Sequence, residues 1–291
     1  MRWGQVLVWV LYRFLAAFMA VLPLNVAHFL MGRFFVLLGP FSVRANNRMD
    51  RSLQVAFPFR DENWRKERRM RTWVNLGKSV AEAMKTKAVQ RRLETHVTYR
   101  FQPELQSLQQ DSRGQLLLMG HLGAWEVAVQ IVPRLGRKVM GVYRPLKNPR
   151  LEAELQKSRQ LAGIEMVSIE DRLLVRKGIR HLHAGGLLAI FVDQRWGKGE
   201  MIDLFDQPAL TTLSPGLFQL STNARVSTLI CRRDGLSHYE AILEPLPFKA
   251  EDGENWRQRG RSIMRSFHGR LEDWVRVHPD DWYWQQDRWK A

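Results

Sequence analysis

Cysteine is almost absent from this chain of 291 residues, and acidic residues are few relative to basic ones. The single cysteine, Cys231, excludes a disulfide framework and a cysteine-based zinc site. Internal repeats and low-complexity linkers are also missing, which argues against a string of small modules. These absences favour a chain that buries a full core and holds no metal.

Basic residues dominate the charge of the chain. Lys and Arg number 45 against 29 Asp and Glu, which gives a formal net charge of +16. Hydrophobic residues make up 45% of the sequence, so the chain is neither a disordered tail nor a simple basic arm. This combination suits either a polyanion or an anionic membrane surface as partner.

The amino-terminal segment favours the membrane. Residues 6–41 are mostly apolar, and no formal charge lies between Phe14 and Gly32, a stretch close to the length that spans a bilayer. The sequence predicts that residues 1–43 form an anchor helix, or a helical hairpin bent at Pro23. A cleaved signal peptide is disfavoured because the apolar region is long and no small-residue cleavage site follows it promptly. A buried core helix is the alternative.

A basic helical region follows at residues 44–96. Between Arg44 and Arg100 there are 15 Lys and Arg and six Asp and Glu, so this stretch carries +9 of the total charge. Basic residues directly after an apolar anchor favour the cytoplasmic side and attract anionic head groups. The alternative is a solvated helical face. Nucleic-acid binding is disfavoured because no recognisable module interleaves aromatic and basic residues.

From residue 97 to 291 short apolar runs alternate with helical patterns. This alternation predicts an α/β domain with a mostly parallel twisted sheet covered by helices on both faces. The predicted strands are 97–101, 115–119, 138–143, 164–169, 187–192, 226–231 and 239–243. The predicted helices are 124–135, 149–162, 173–183, 215–223 and 256–278. Ligands of such sheets bind beyond the carboxyl ends of the strands.

The most informative motif lies at one of those ends, where Gly120-His121-Leu122-Gly123-Ala124-Trp125-Glu126 follows a strand. His121 is expected on the turn and Glu126 in the first helical turn, where the two side chains can meet. A carboxylate bonded to one imidazole nitrogen fixes the tautomer and leaves the other nitrogen as a general base. No serine or cysteine nearby has a nucleophile-elbow pattern, so the nucleophile would be a hydroxyl of the substrate. A structural cap is the alternative reading of the pair.

Three further polar clusters follow other strands. Arg144 ends one strand, Asp193 ends another, and a loop at residues 205–212 precedes a helix. Each cluster alone is compatible with an ordinary loop, but together they predict one site at the carboxyl edge of the sheet. The candidate catalytic residues are His121, Glu126, Arg144 and Asp193. The candidate substrate-binding residues are Gly123, Trp125, Tyr143, Gln194, Arg195 and Thr211.

Taken together, the motifs resemble those of the late acyltransferases of lipid A biosynthesis, the lauroyl/myristoyl-transferase family within the wider group of glycerolipid acyltransferases. The resemblance covers nearly the whole chain. It rests on the apolar amino terminus, His121 with Glu126 in a His-x4-acidic motif, residues 142–145, Asp193 with Gln194, and the carboxyl-terminal segment from Pro279 to Lys290 with its three tryptophans. That segment is expected either at the membrane interface or packed on the domain.

The resemblance implies a glycerolipid-acyltransferase-like fold without a cofactor. It also implies transfer of a fatty acyl chain from acyl carrier protein to a hydroxyl, typically on a 3-hydroxyacyl chain, of a lipid A precursor or related membrane glycolipid. In this comparison His121 is the base, Glu126 orients it, Arg144 steadies the thioester oxygen or a phosphate, and Asp193 completes the relay or positions the acceptor. The implied location is the bacterial inner membrane, with the catalytic domain on the cytoplasmic face.

Two other functions stay open at the level of sequence. The basic run from Arg195 to Gly199 departs from the family pattern and leaves the acceptor open. In one alternative, the protein is a related membrane acyltransferase whose acceptor is a mannosylated phosphoinositide, an ornithine lipid or a lysophospholipid. The second alternative is a non-enzymatic basic protein that binds membranes or nucleic acid.

Overall fold

A computed structural model of the chain describes residues 3–101, 111–235 and 238–289. Lys290, which ends the carboxyl-terminal motif, lies outside these ranges. The helices are α1 (Trp3–Val21), α2 (Leu24–Leu38), α3 (Val43–Ala56), α4 (Glu62–Met84), α5 (Thr86–Arg92), α6 (Trp125–Ile131), α7 (Pro149–Leu161), α8 (Leu174–His183), α9 (Ser214–Thr222) and α10 (Trp256–Val277). The strands are β1 (Val97–Phe101), β2 (Gln115–Gly123), β3 (Val139–Tyr143), β4 (Ile164–Ser168), β5 (Leu187–Phe191), β6 (Glu200–Leu204), β7 (Gln207–Thr211), β8 (Arg225–Asp234) and β9 (His238–Pro245).

Seven strands form one mixed sheet in the order β1-β9-β8-β2-β5-β3-β4. All neighbours in this sheet are parallel except β8 and β9. Along β2, Leu116 and Leu118 contribute to the core on one face and Leu117 and Met119 to the core on the other. This alternation is what a strand buried on both faces requires. The predicted α/β class and the helices on both faces are confirmed.

The apolar amino terminus forms two helices that meet at Pro23. Both α1 and the segment Leu24–Phe41 are long and apolar enough to cross a membrane, and most of α1 is exposed. Lys85 lies at the break between them and donates hydrogen bonds from Nζ to the carbonyl oxygens of Met19, at 2.6 Å, and Leu22, at 2.7 Å. This lysine of the basic region is therefore buried at the end of α1, where backbone carbonyl oxygens accept hydrogen bonds from its ammonium group.

Helices α2 and α4 cross closely because both carry glycine at the contact. A Cβ on Gly77 would stand 2.3 Å from the carbonyl oxygen of Met31. The backbones can approach only with hydrogen at this position, so the apolar helix α2 is fixed closely against α4. The basic region itself is partly neutralised by ion pairs such as Arg68 with Asp280, at 3.0 Å.

Residues 205–212 were expected as a loop, but residues 207–211 form β7, which pairs with β6 in a two-stranded antiparallel hairpin. Its two loop residues, Phe205 and Asp206, both have positive φ, of 53° and 57°, which matches the twist of a tight hairpin. The sequence concealed the hairpin because Pro208 lies within β7, and proline disfavours a strand except at an edge.

A buried polar cluster holds this hairpin against α10 and the carboxyl-terminal segment. Arg288 donates hydrogen bonds to the carbonyl oxygen of Leu210 and the hydroxyl of Thr211, at 2.6 and 2.7 Å. His268 lies 2.7 Å by Nδ1 from the carbonyl oxygen of Asp203, so Nδ1 carries the proton and Nε2 accepts from Arg288. Burial, together with the charge of Arg288, lowers the pKa of His268 to about 4.

We expect His268 to make the fold sensitive to acid. Its native pKa lies below that of an unfolded histidine, near 6.5, so the unfolded chain binds the extra proton between these values. Stability is therefore complete above pH 6.5 and falls as the pH drops, by about 3 kcal/mol at pH 4. The melting temperature of His268→Gln should fall less between pH 7 and 4.5 than that of the unaltered protein. Parallel curves, or the same change in His183→Gln at an exposed helix end, would contradict this assignment.

Candidate active site

The site forms where β2, β5 and β3 end side by side. Because β5 lies between β2 and β3, Asp193 after β5 is the neighbour of His121 at the end of β2, and Arg144 follows β3. The sequence placed these residues at strand ends, and the strand order brings them together. The carboxyl edge of the sheet thus carries a histidine, a carboxylate and a guanidinium within one site.

The imidazole of His121 is hydrogen-bonded to Asp193. The distance from Nδ1 to Oδ1 is 2.8 Å, and the backbone N–H of His121 donates to Oδ2 at 3.0 Å. A carboxylate only accepts hydrogen bonds, so Nδ1 carries the proton and Nε2 has a lone pair that can accept one. The side-chain amide nitrogen of Gln194 lies 3.5 Å from Nε2.

Asp193 is fully buried and held by several donors. Trp282 donates from Nε1 to Oδ2 at 3.0 Å, and Gln286 Nε2 lies 3.5 Å from the same oxygen. Burial alone would raise the pKa of Asp193. The charge of His121 and the hydrogen bonds from His121 and Trp282 outweigh burial and hold the pKa below its ordinary value. Asp193 is therefore ionised at neutral pH and favours a proton on Nδ1.

Glu126 does not make the hydrogen bond to His121 that the motif suggested. Its Oε2 accepts from Arg159 of α7 at 2.7 Å, and both side chains are mostly buried. The carboxylate that is hydrogen-bonded to His121 in this structure is thus Asp193 and not Glu126. The reason lies in the backbone, because β2 continues to Gly123 and α6 begins only at Trp125, so the strand end directs His121 towards β5.

Gly123 sets the geometry of the strand end. Its φ of +54° favours glycine, and a Cβ there would lie 2.5 Å from the carbonyl oxygen of Cys231. Its N–H donates to the carbonyl oxygen of Asp281, and its own carbonyl accepts from Arg233. Both polar groups of Gly123 are engaged within the protein, so the expectation that it binds substrate is not supported by its surroundings.

A cavity of about 450 Å³ opens beside His121 and runs beneath α6 and α7. Its lining is mostly apolar and includes Val129, Val132, Leu155, Ile164 and Met166. Of the residues predicted to bind substrate, Trp125, Tyr143, Gln194 and Arg195 line this cavity, as do Glu126 and Arg144.

The side chains of Thr211 and Tyr143, both predicted to bind substrate, make hydrogen bonds within the protein. Thr211 is fully buried and bonded to Ala209 and Arg288, and Thr212 and Ser214 line the cavity instead. The ring of Tyr143 faces the cavity, but its hydroxyl donates to Glu152 at 2.5 Å. Burial and this contact raise the pKa of Tyr143 to about 12, so it stays protonated and does not act as a base.

The carboxyl-terminal segment packs on the domain and completes the site. Trp282 and Trp284 are 1% exposed, so the interface alternative for these two side chains is wrong. The backbone of Leu122 forms a β-bridge with Trp282, and Tyr283 N donates to the carbonyl oxygen of His121 at 3.0 Å. Sequence analysis missed the contact of Trp282 with Asp193, and its only signal was a tryptophan-rich motif without an assigned partner.

Replacing Trp282 with phenylalanine should weaken the support of Asp193 without emptying the core. A hydrogen bond to a charged group contributes about 1.5–3 kcal/mol, so we expect an activity loss of about tenfold or more. The pKa of Asp193 should rise, which moves the acidic limb of the pH–activity profile to higher pH. Trp284→Phe is the matched control, because Trp284 is equally buried but donates to the carbonyl oxygen of Pro279. Equal profiles for the two variants would show that Trp282 only packs.

The fold and the site define an α/β protein in which a histidine, hydrogen-bonded to a buried aspartate, lines a mostly apolar cavity. The chain belongs to the bacterial lipid A biosynthesis acyltransferase family, whose model matches residues 2–291. This family implies a lipid A or related glycolipid acceptor. No individually curated protein matches the chain.

Proposed function

We propose that the protein transfers a fatty acyl chain from acyl carrier protein to a hydroxyl of a lipid A precursor, typically the hydroxyl of a 3-hydroxyacyl chain. The observation that carries the proposal is the hydrogen bond between His121, which lines a mostly apolar cavity, and Asp193, in a chain of this family. A thioester is already activated, so a base, positioning and oxyanion stabilisation suffice for transfer.

In the proposed reaction His121 Nε2 takes the proton of the acceptor hydroxyl as its oxygen attacks the thioester carbonyl. Asp193 stabilises the imidazolium through the Nδ1 hydrogen bond. The tetrahedral intermediate then collapses, the carbon–sulfur bond breaks, and the imidazolium returns the proton to the departing thiolate. No covalent intermediate with the protein is required, and each proton is accounted for.

The cations at the cavity mouth suit the charges that this reaction presents. Arg144 is exposed and lies with its guanidinium carbon 6.0 Å from the centre of the Trp196 ring. Arg195 lines the same cavity. We propose that Arg144 stabilises the developing oxyanion or holds a phosphate of the acceptor.

The apolar cavity is suited to the acyl chain, and its neighbourhood is suited to a membrane-bound acceptor. Helix α1 lies along α7 and the loop after β3. Asn148 donates to the carbonyl oxygen of Gln5 at 2.9 Å, and Arg13 pairs with Glu154 at 2.8 Å. The apolar anchor therefore flanks the loop that carries Arg144. We propose that the protein lies at the inner membrane with its catalytic domain on the cytoplasmic face; the apolar α1 beside this loop supports membrane association.

We propose acyl carrier protein as the acyl donor because its charge is opposite to that of this chain. Acyl carrier proteins are acidic, and the chain carries a formal net charge of +16. Opposite charges accelerate diffusional encounter. The same sign of charge also suits a phosphorylated sugar acceptor.

The proposal is tested with purified full-length protein, acyl–acyl carrier protein and a lipid A precursor. Mass spectrometry should show the precursor gain the mass of one acyl chain, and His121→Ala should abolish this gain. Lipid A from cells with and without the protein should differ by the same mass. An unchanged precursor, together with acylation of an ornithine lipid, a lysophospholipid or a mannosylated phosphoinositide, would overturn the lipid A assignment but keep an acyltransferase.

A further inference from the structure

A second cavity, of about 390 Å³, lies on another side of the molecule. It is bounded by α2, α4 and the hairpin of β8 and β9, and it shares no lining residue with the cavity beside His121. We call it the anchor groove. Its lining includes Phe29, Arg33, Met70, Val74, Lys78 and Arg233.

The charge of the anchor groove is unbalanced. Arg233 at its floor is matched by Glu82, which it contacts at 2.8 and 2.9 Å. Lys78 is half-buried, and no hydrogen bond or ion pair joins it to another side chain within the described ranges. Burial, and then the charge of Arg233, lowers the pKa of Lys78, and these effects outweigh the opposite effect of the charges of Glu82 and Asp281. An anion in the groove would relieve this electrostatic cost.

The other wall of the anchor groove is apolar and exposed. Phe29 is 60% exposed on α2 and Met70 is 50% exposed on α4. Phe29 belongs to the same helix as the exposed Leu30, Phe34 and Leu37, so the groove opens onto the apolar surface of the anchor. Arg33 lies 5.4 Å from the centre of the Phe29 ring, beside this opening. Cations and exposed apolar groups together fit an amphiphile with a negative head.

We propose that the anchor groove binds an anionic phospholipid of the surrounding bilayer. The phosphate lies against Lys78 and Arg33, and an acyl chain lies along Phe29 and Met70. A small inorganic anion would leave the apolar wall unused, and a zwitterionic lipid brings its own cation to a groove that already has an excess of them. Because Arg233 also donates to the carbonyl oxygen of Gly123, the bound lipid lies behind the strand end that carries His121.

The test uses the delipidated full-length protein in a non-ionic detergent, without acyl donor or acceptor. Phosphatidylglycerol should raise the melting temperature in a saturable way, and phosphatidylcholine should raise it much less. Lys78→Gln should weaken the apparent affinity for phosphatidylglycerol about fivefold. Lys78→Arg should retain it. Lys66→Gln is the matched control, because it removes the same charge from an exposed position of the same helix, outside the groove.

The lipid-free melting temperature of Lys78→Gln reports whether the variant folds, and Lys78→Arg guards against a loss caused by packing alone. Equal stabilisation by the two lipids, or an equal loss in Lys66→Gln, would overturn the proposal. So would an equal shift with inorganic phosphate, or a Lys78-dependent shift seen with acyl carrier protein and not with lipid. Since no reaction is measured, these outcomes are independent of the proposed acyl transfer.

Discussion

Replacing His121 with alanine is expected to reduce acyl transfer by about 10²–10⁴-fold, the usual contribution of a positioned general base. The ring packs beside Phe191, with 4.4 Å between ring centres, and its side chain is 23% exposed. The backbone hydrogen bond from His121 N to Asp193 does not depend on the side chain. The fold should therefore persist while the base is lost, as measured by acyl transfer from the carrier-protein thioester to the lipid precursor.

Two controls make this result specific. His183→Ala removes an exposed histidine at the end of α8 and should leave the rate unchanged. The melting temperature and the membrane-bound fraction of His121→Ala should match those of the unaltered protein. A transfer rate within twofold of the unaltered protein would remove His121 from the reaction.

The second large effect is expected for Asp193→Asn, with a loss of up to about 10⁴-fold. Asparagine can present its amide N–H₂ to Nδ1, which places the imidazole proton on Nε2, where the lone pair is needed. It also removes the negative charge that stabilises the imidazolium. The pH dependence of the residual activity should therefore change together with the rate.

Glu126→Gln is the comparison that separates the two carboxylates. It leaves the contact between His121 and Asp193 intact, so we expect the shape of the pH profile to be unchanged. It removes the negative charge that pairs with Arg159 at the cavity wall, so the loss should appear mainly as a higher KM for the donor. Adding Arg159→Met, which removes the unpaired charge, should recover part of the loss. If Glu126→Gln alters the pH profile and Asp193→Asn does not, Glu126 is the relay partner.

The sequence was sufficient to predict the helices and strands, but it did not identify which carboxylate is hydrogen-bonded to His121. Apolar runs located the strands, and polar residues at their ends identified His121 and Asp193 as members of one site. The choice between Glu126 and Asp193 depended on β5 lying beside β2, which is a pairing between residues some seventy positions apart. Local spacing favours the near carboxylate, and only the strand order identifies the other.

The same limit explains why the role of Trp282 was missed. Its indole reaches Asp193 across 89 positions of sequence, and its backbone joins the end of β2. In the basic region, charge counting predicted a docking surface, but it did not distinguish Lys85, which caps a helix end, from Lys78, which faces a cavity. Counting charges identifies a region, whereas the carbonyls and cavities around each lysine decide what it does.

The contacts of residues 281–283 with the end of β2 have a consequence for biosynthesis. In chain order this segment follows every strand of the sheet, so a chain emerging from the ribosome can place its anchor helices and pair its strands before the support of Asp193 exists. Until Trp282 arrives, the buried carboxylate lacks one of its donors and the strand end that carries His121 lacks its bridge. The support of the His121–Asp193 pair therefore depends on a segment that is synthesised after every strand of the sheet.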